Sequence, residues 1–214
     1  MDKKIADLRK EYSKQTLLEK DVDQNPFVQF SKWWDEAMKS ELEEANAMTL
    51  ATATRNGIPS ARIVLLKSVS EDGFVFFTNY SSQKGKELLE NPNACLVFFW
   101  KELERQVRIS GKVEKVSAGE SDEYFASRPE GSRIGAWASP QSSIISSREV
   151  IEKNTEKYRQ EFAEGPIKRP PHWGGYVVRP TVIEFWQGRA NRLHDRLQYA
   201  LHEKNAWKIE RLAP

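Results

Sequence analysis

The sequence predicts a mainly β fold, an antiparallel barrel with peripheral helices. Three observations carry this. Many short runs of β-branched and aromatic residues follow one another at close spacing. Turn signals such as Asn56-Gly57 and Asp72-Gly73 join them as hairpins, and helical patterns are inserted between only some of them. Neither a Gly-x-Gly-x-x-Gly nor a Gly-Lys-Ser/Thr phosphate loop is present, which argues against Rossmann and Walker nucleotide folds.

Residues 1 to about 25 are mostly charged and predict a short helix within a mobile arm; 26–214 reads as a single domain. Asn25-Pro26 is a helix start signal, and Phe27, Phe30, Trp33, Trp34, Met38 and Leu42 give an amphipathic helix from Phe27 to Glu44. Strands follow at Ala47 to Thr54, Ser60 to Lys67 with the apolar centre Ile63-Val-Leu-Leu66, and Phe74 to Thr78. Lys84 to Glu90 is a short helix closed by Asn91-Pro92, and two strands run from Ala94 to Trp100 and from Arg105 to Val116. Ser117 to Glu120 fits a capping box for a helix ending near Ser127, before Pro129. A helix from Ser146 to Phe162 and a proline-broken loop precede the closing strands, Trp173 to Arg179, Val182 to Gln187, Arg192 to Leu201 and Ala206 to Leu212.

Composition narrows the function. Lys and Arg number 33 against 31 Asp and Glu, so a net charge of +2 provides no general basic field and no support for nucleic-acid binding; any anion site is local. Cys95 is the single cysteine, which excludes an internal disulfide and suits a cytoplasmic protein. Three His without a Cys/His cluster argue against a metal site, and no apolar run approaches the length of a membrane span.

The most informative stretch is Glu184 to Arg196. If extended, it would project Arg192, His194 and Arg196 from one strand face, an arrangement suited to an anionic, phosphate-bearing ligand. A solvated, Arg-rich edge strand is the plainer reading. Arg62 and Lys67 bracket an apolar strand at odd separation, so each would face a different side. Thr78 to Lys84 reads equally as a phosphate cradle or a capped turn. Tyr124 and Arg128 lie one helical turn apart, and the Glu130-Gly131 bend would bring Ser132 to them. Gln141-Ser142-Ser143 adds an amide and hydroxyls. A Ser-His-Asp hydrolase is disfavoured, since no Gly-x-Ser-x-Gly elbow exists.

Taken together, Arg62-Ile-Val-Leu-Leu-Lys67, Leu103-Glu-Arg-Gln-Val107, Gly135-Ala-Trp137 with Gln141-Ser142-Ser143, Phe185-Trp-Gln-Gly188 and Arg192-Leu-His-Asp-Arg196 resemble the pyridoxamine/pyridoxine 5′-phosphate oxidase family over nearly the whole chain. The resemblance implies a homodimeric FMN-binding split barrel. The activity implied is oxidation of pyridoxamine or pyridoxine 5′-phosphate to pyridoxal 5′-phosphate, with O2 as acceptor and hydride transfer from C4′ to flavin N5. It implies FMN contacts from Arg62, Ile63, Val64, Leu65, Leu66, Lys67, Phe77, Thr78, Gln83, Lys84 and Gln106. Gln141, Ser142, Trp186 and Arg196 would reach the flavin from the other subunit. Substrate phosphate would meet Lys67, Tyr124, Arg128 and Ser132, while Arg192, Leu193 and His194 hold the reacting end, with Arg192 and His194 in the catalytic roles. Arg9, Lys10, Glu11 and Tyr12 resemble the segment that closes over the substrate. Gln83 stands where the family often has Arg, which removes one charged contact to FMN. A non-enzymatic cofactor carrier and a split-barrel flavin reductase are the rival functions. Only the oxidase uses both the second phosphate pocket and the Arg192/His194 pair.

Overall fold

The structure, a computed structural model, describes residues 11–40 and 42–214. Arg9 and Lys10, expected near substrate, lie outside these residues. The chain packs as two compact units built from separated segments. One runs up to Thr49 and takes in Cys95–Gly111 and Pro180–Pro214; the other comprises Leu50–Ala94 and Lys112–Arg179.

In the first unit, α1 (Pro26–Lys39) starts where the Asn25 side chain accepts the Phe27 N–H at 2.9 Å, a cap that contributes about 1 kcal/mol. Phe30, Trp33 and Ala37 are buried, but Met38 is 60% exposed. The helix ends five residues before the expected Glu44. The apolar stripe stops at Ala37, Ser40 turns its N–H and hydroxyl onto the Ala37 carbonyl, and Glu44 is left-handed at φ 49°. Phe30 packs against Phe98 and Trp100, and Trp33 meets Phe185 edge-on at 5.2 Å. The helix expected before residue 25 is absent from residues 11–25. Those residues spend their backbone amides on side chains instead: Ser13 and Lys14 donate to Glu104, and Leu17 donates to Asp195.

The strands are β1 (Ala47–Ala53), β2 (Pro59–Leu65), β3 (Ser68–Ser70), β4 (Gly73–Asn79), β5 (Asn93–Trp100), β6 (Arg105–Lys115), β7 (Trp173–Gln187), β8 (Asp195–Leu201) and β9 (Trp207–Arg211). Their order in the sheet is β2-β1-β5-β6-β7-β4-β3, with β8 on β7 and β9 on β8. The pairs of β4 with β7, β7 with β8 and β8 with β9 are antiparallel. The fold class is therefore the expected one, mainly antiparallel β with helices between strands. Two closing strands expected around Pro180 are one 15-residue strand. Pro180, which lacks an N–H, falls between the residues registered with β4 (Trp173–Val178) and those registered with β8 (Val182–Gln187), so it breaks no bond of either ladder.

In the second unit, Gly57 at φ +80° closes the β1–β2 hairpin. The apolar centre of β2 is not wholly buried: Ile63 is 64% exposed. β2 also stops at Leu65, so Lys67 lies in a break before β3 rather than on the same strand as Arg62. Ser82 caps α2 (Gln83–Glu90), and Ser117 caps α3 (Ala118–Ser127) as its sequence predicts. Pro129 opens a helix, α4 (Glu130–Ala138), where the sequence suggests only a bend; α5 (Glu149–Glu161) follows. Trp137 packs on Tyr158 and Phe162, which fastens α4 to α5.

Candidate functional site

A cavity of about 630 Å³ opens in the second unit, a size that suits a small molecule or cofactor. Ile63, Val64 and Leu65 at the end of β2 and Lys67 in the break just after it line it, with Phe77 and Thr78 of β4, Lys84 of α2, Tyr124 and Arg128 at the end of α3, Ser132 of α4, and Gln141. These are eleven residues singled out from sequence, brought together by six separate segments. Gln141, expected from a second subunit, lines the cavity of its own chain. Ser132 arrives on the first turn of α4 rather than on a bend.

One end of the cavity is built around Arg128. It caps α3 in an extended conformation, and its guanidinium lies 4.7 Å from the centre of the Trp173 ring. Burial pulls its pKa below the usual guanidinium value, with Tyr124 acting in the opposite direction. Its Nη1 is buried and has no hydrogen-bond partner among the described residues. A desolvated cationic donor without an acceptor is costly, so this atom calls for an anion. Lys67 lies 5.8 Å from the Tyr124 ring and lines the same space. Phe77 stacks on Tyr124 at 4.0 Å and on Trp173 at 5.5 Å, giving the end an aromatic wall. Trp173, Asn79, Pro129, Gly135, Ala136 and Ser139 also line the cavity and were not anticipated. Trp173 begins a strand in the sequence pattern, which signals core rather than site.

Another part of the lining is built around Lys84, which is buried and donates to Thr78 Oγ1 at 3.2 Å. Burial and the nearby Arg62 charge lower its pKa, and Glu87 partly offsets them. Arg62 is not on the cavity wall. It donates to Thr52, to Ser60 Oγ at 2.5 Å and to Glu87 Oε2 at 3.4 Å. Gln83 donates to the other Glu87 oxygen at 2.9 Å. Burial alone would raise the Glu87 carboxyl, but hydrogen bonds from Ser60, Thr52 and Gln83, together with Arg62, bring it down to about 2. Leu66 is buried rather than exposed to the cavity, and Ser142 is solvent-exposed at φ 69°.

The first unit holds a separate cluster. Arg192, His194 and Arg196 do not share a strand face, because β8 begins only at Asp195. Asn191 and Arg192 are both left-handed (φ 55° and 62°) in a short 3-10 turn that leaves Arg192 and Leu193 exposed. His194 Nδ1 accepts the Arg189 backbone N–H at 3.1 Å, which puts its proton on Nε2. Its ring lies 4.5 Å from Trp186 and 6.0 Å from Tyr12. Burial and the Arg192 charge lower its pKa. Arg196 is neutralised by Glu184, which is 2% exposed and also takes a hydrogen bond from Arg108. One buried carboxylate thus balances the charges of Arg196 and Arg108. Gln106 lies half-buried on β6, and Glu11 is exposed.

Among the described residues no His, Cys, Asp or Glu group could hold a metal, and no helix is long and apolar enough to cross a membrane.

Residues 34–162 match the model of the family described as pyridoxamine 5′-phosphate oxidase, and residues 173–214 match the pyridoxine 5′-phosphate oxidase C-terminal dimerisation region. A pyridoxine/pyridoxamine 5′-phosphate oxidase of Nostoc sp. is 60% identical over 214 residues, the whole of both chains. One from Burkholderia mallei is 59% identical over 98% of this chain and 99% of its own. Among solved structures, PhzG from Burkholderia lata, in complex with tetrahydrophenazine-1-carboxylic acid, superposes with a TM-score of 0.87 at 30% identity, covering 94% of this chain and 100% of that one. A pyridoxamine 5′-phosphate oxidase-related, FMN-binding protein from Nostoc punctiforme shares the fold at TM-score 0.71 and 18% identity, over 90% of this chain and 100% of its own.

Proposed function

The chain belongs to the pyridoxamine 5′-phosphate oxidase family, and on that premise we propose that it oxidises pyridoxamine or pyridoxine 5′-phosphate to pyridoxal 5′-phosphate, with FMN as cofactor and O2 as final acceptor. The observation that carries this reading is Arg128, which lines the cavity with Lys67, Tyr124 and Ser132 and whose buried Nη1 has no hydrogen-bond partner among the described residues. A phosphate monoester supplies the missing acceptor, and the guanidinium and ammonium supply its counter-charge.

FMN fits the rest of the cavity. Its phosphate suits the lining around Lys84, and the apolar run Ile63, Val64 and Leu65 with Phe77 suits a flat ring system. When bound, FMN supplies the acceptor for the hydride leaving substrate C4′ and passes the electrons on to O2. The chain's own residues bind and orient. Lys67, Tyr124, Arg128 and Ser132 anchor the substrate phosphate and so fix where the reacting carbon lies. Arg192 and Leu193 hold the ring and its substituent. His194, neutral and protonated on Nε2, offers a single donor to that substituent. Tyr12, and with it Glu11, covers the reacting end. The protein works as a homodimer, with Gln106, Ser142, Trp186 and Arg196 serving the flavin, and with Ser142, Trp186 and Arg196 reaching it from the partner protomer. A single cysteine fits a cytoplasmic home.

The test is direct. The purified protein is given pyridoxine 5′-phosphate in air, and aldehyde product and hydrogen peroxide are measured together. Equal amounts of both support the oxidase. Flavin binding without turnover of either phosphate ester would replace this reading with that of a cofactor carrier.

A further inference from the structure

Glu87 does not line the cavity, and no role in binding falls to it from the family motifs. It lies on α2, one turn after Lys84, and is only 5% exposed. Both carboxylate oxygens accept hydrogen bonds. Oε2 accepts from Thr52 at 2.5 Å, from Ser60 at 2.6 Å and from Arg62 Nη2 at 3.4 Å; Oε1 accepts from Gln83 at 2.9 Å. The same two hydroxyls accept hydrogen bonds from Arg62. Arg62 is therefore held by a carboxylate and by the two hydroxyls that the carboxylate itself orients. None of these bonds uses Arg62 Nε. The side chains come from β1, β2 and α2, so one buried charge ties three elements together.

We propose that Glu87 is a positioning residue for the flavin phosphate: it fixes the Arg62 guanidinium off the cavity wall, so that its charge backs Lys84, which lines the wall and meets the phosphate. This rests on the flavin reading above. A flexible arginine would have to be ordered on binding, whereas a guanidinium already braced loses little further freedom. Gln83 has a defined part in the same brace. It stands where the family often has arginine, and here it orients the Glu87 carboxylate instead of adding charge.

The test compares two ligands that differ only in the phosphate. The full chain, freed of flavin, is titrated with FMN and with riboflavin, and quenching of flavin fluorescence gives both affinities. Glu87→Ala is expected to weaken FMN by about tenfold and to leave riboflavin within about twofold, the scale of one lost charge-assisted contact. Glu87→Gln, nearly isosteric and able to keep the fold, is expected to weaken FMN by about threefold with the same selectivity. Equal losses for both ligands would make Glu87 a prop for α2 and overturn the proposal. Unchanged or tighter FMN binding would show that the carboxylate merely opposes the phosphate, and would overturn it too. Lys84→Gln separates the two levels of argument. If that variant still prefers FMN over riboflavin as strongly as the native chain, the flavin phosphate lies elsewhere and the underlying reading fails, whatever Glu87 does.

Discussion

The guanidinium of Arg128 lies over the Trp173 ring at 4.7 Å while its Nη1 finds no acceptor among the described residues. The ring holds the cation against the cavity's aromatic wall, and the vacant donor calls for an anion. Arg128→Ala is expected to raise the KM for pyridoxine 5′-phosphate by about 10- to 100-fold, since a hydrogen bond to a charged group contributes about 1.5–3 kcal/mol. FMN affinity should stay unchanged. Steady-state kinetics and a flavin titration on the same preparation check both halves; loss of flavin with KM intact would reverse the assignment of the two phosphates.

Arg192→Ala should reduce kcat by at least about tenfold while FMN remains bound, because its exposed guanidinium is assigned to the substrate and not to the flavin. Turnover equal to the native rate in a stopped-flow assay would remove Arg192 from the site.

The ordinary imidazole value is near 6.5, and burial followed by the Arg192 charge lowers His194 from it. The neutral form is therefore favoured in the folded chain. Its contribution to stability is present above pH 6.5 and is lost as pH falls through the lower folded value. Protonation at Nδ1 would also break the bond from the Arg189 N–H. We expect activity to fall on the acid side below pH 6.5, and Arg192→Ala to move the His194 titration upward. NMR titration of the ring nitrogens measures this; a His194 titration at or above 6.5 in the native protein contradicts it.

Gly85→Ala tests how α2 is seated. Alanine in a helix is worth about 1 kcal/mol over glycine. Here, however, a Cβ would lie 2.2 Å from the Tyr80 carbonyl oxygen, and a backbone atom cannot simply rotate away. Overpacking of this kind costs about 1–3 kcal/mol or more, so the clash should win. The urea midpoint should fall, and Lys84, the preceding residue, should be displaced enough to weaken FMN.

Much of the cavity was legible in the sequence because its residues stand out chemically. Tyr124 and Arg128 at one helical turn, and Lys84 after a Ser-capped helix start, are unusual enough to be noticed. Glu87 was not legible. A glutamate on a charged helix reads as solvated, and only the fold brings Thr52, Ser60 and Arg62 to it. Pro129 read as a helix terminator, yet proline is equally at home before a first turn, so α4 was missed. The spacing of Arg192, His194 and Arg196 read as a strand because an alternating pattern says nothing about two successive left-handed residues. Asn191 gives a hint of that conformation; Arg192 gives none. Pro180 read as a strand break because the exchange of partners that accommodates it is a property of the whole sheet.

The left-handed turn at Asn191 and Arg192 sets two selective pressures against each other. An arginine held at φ 62° gives up conformational energy that glycine would keep, yet glycine has no guanidinium to offer. Laboratory evolution for heat resistance alone should drift toward glycine at position 192, and evolution for catalytic speed should restore arginine.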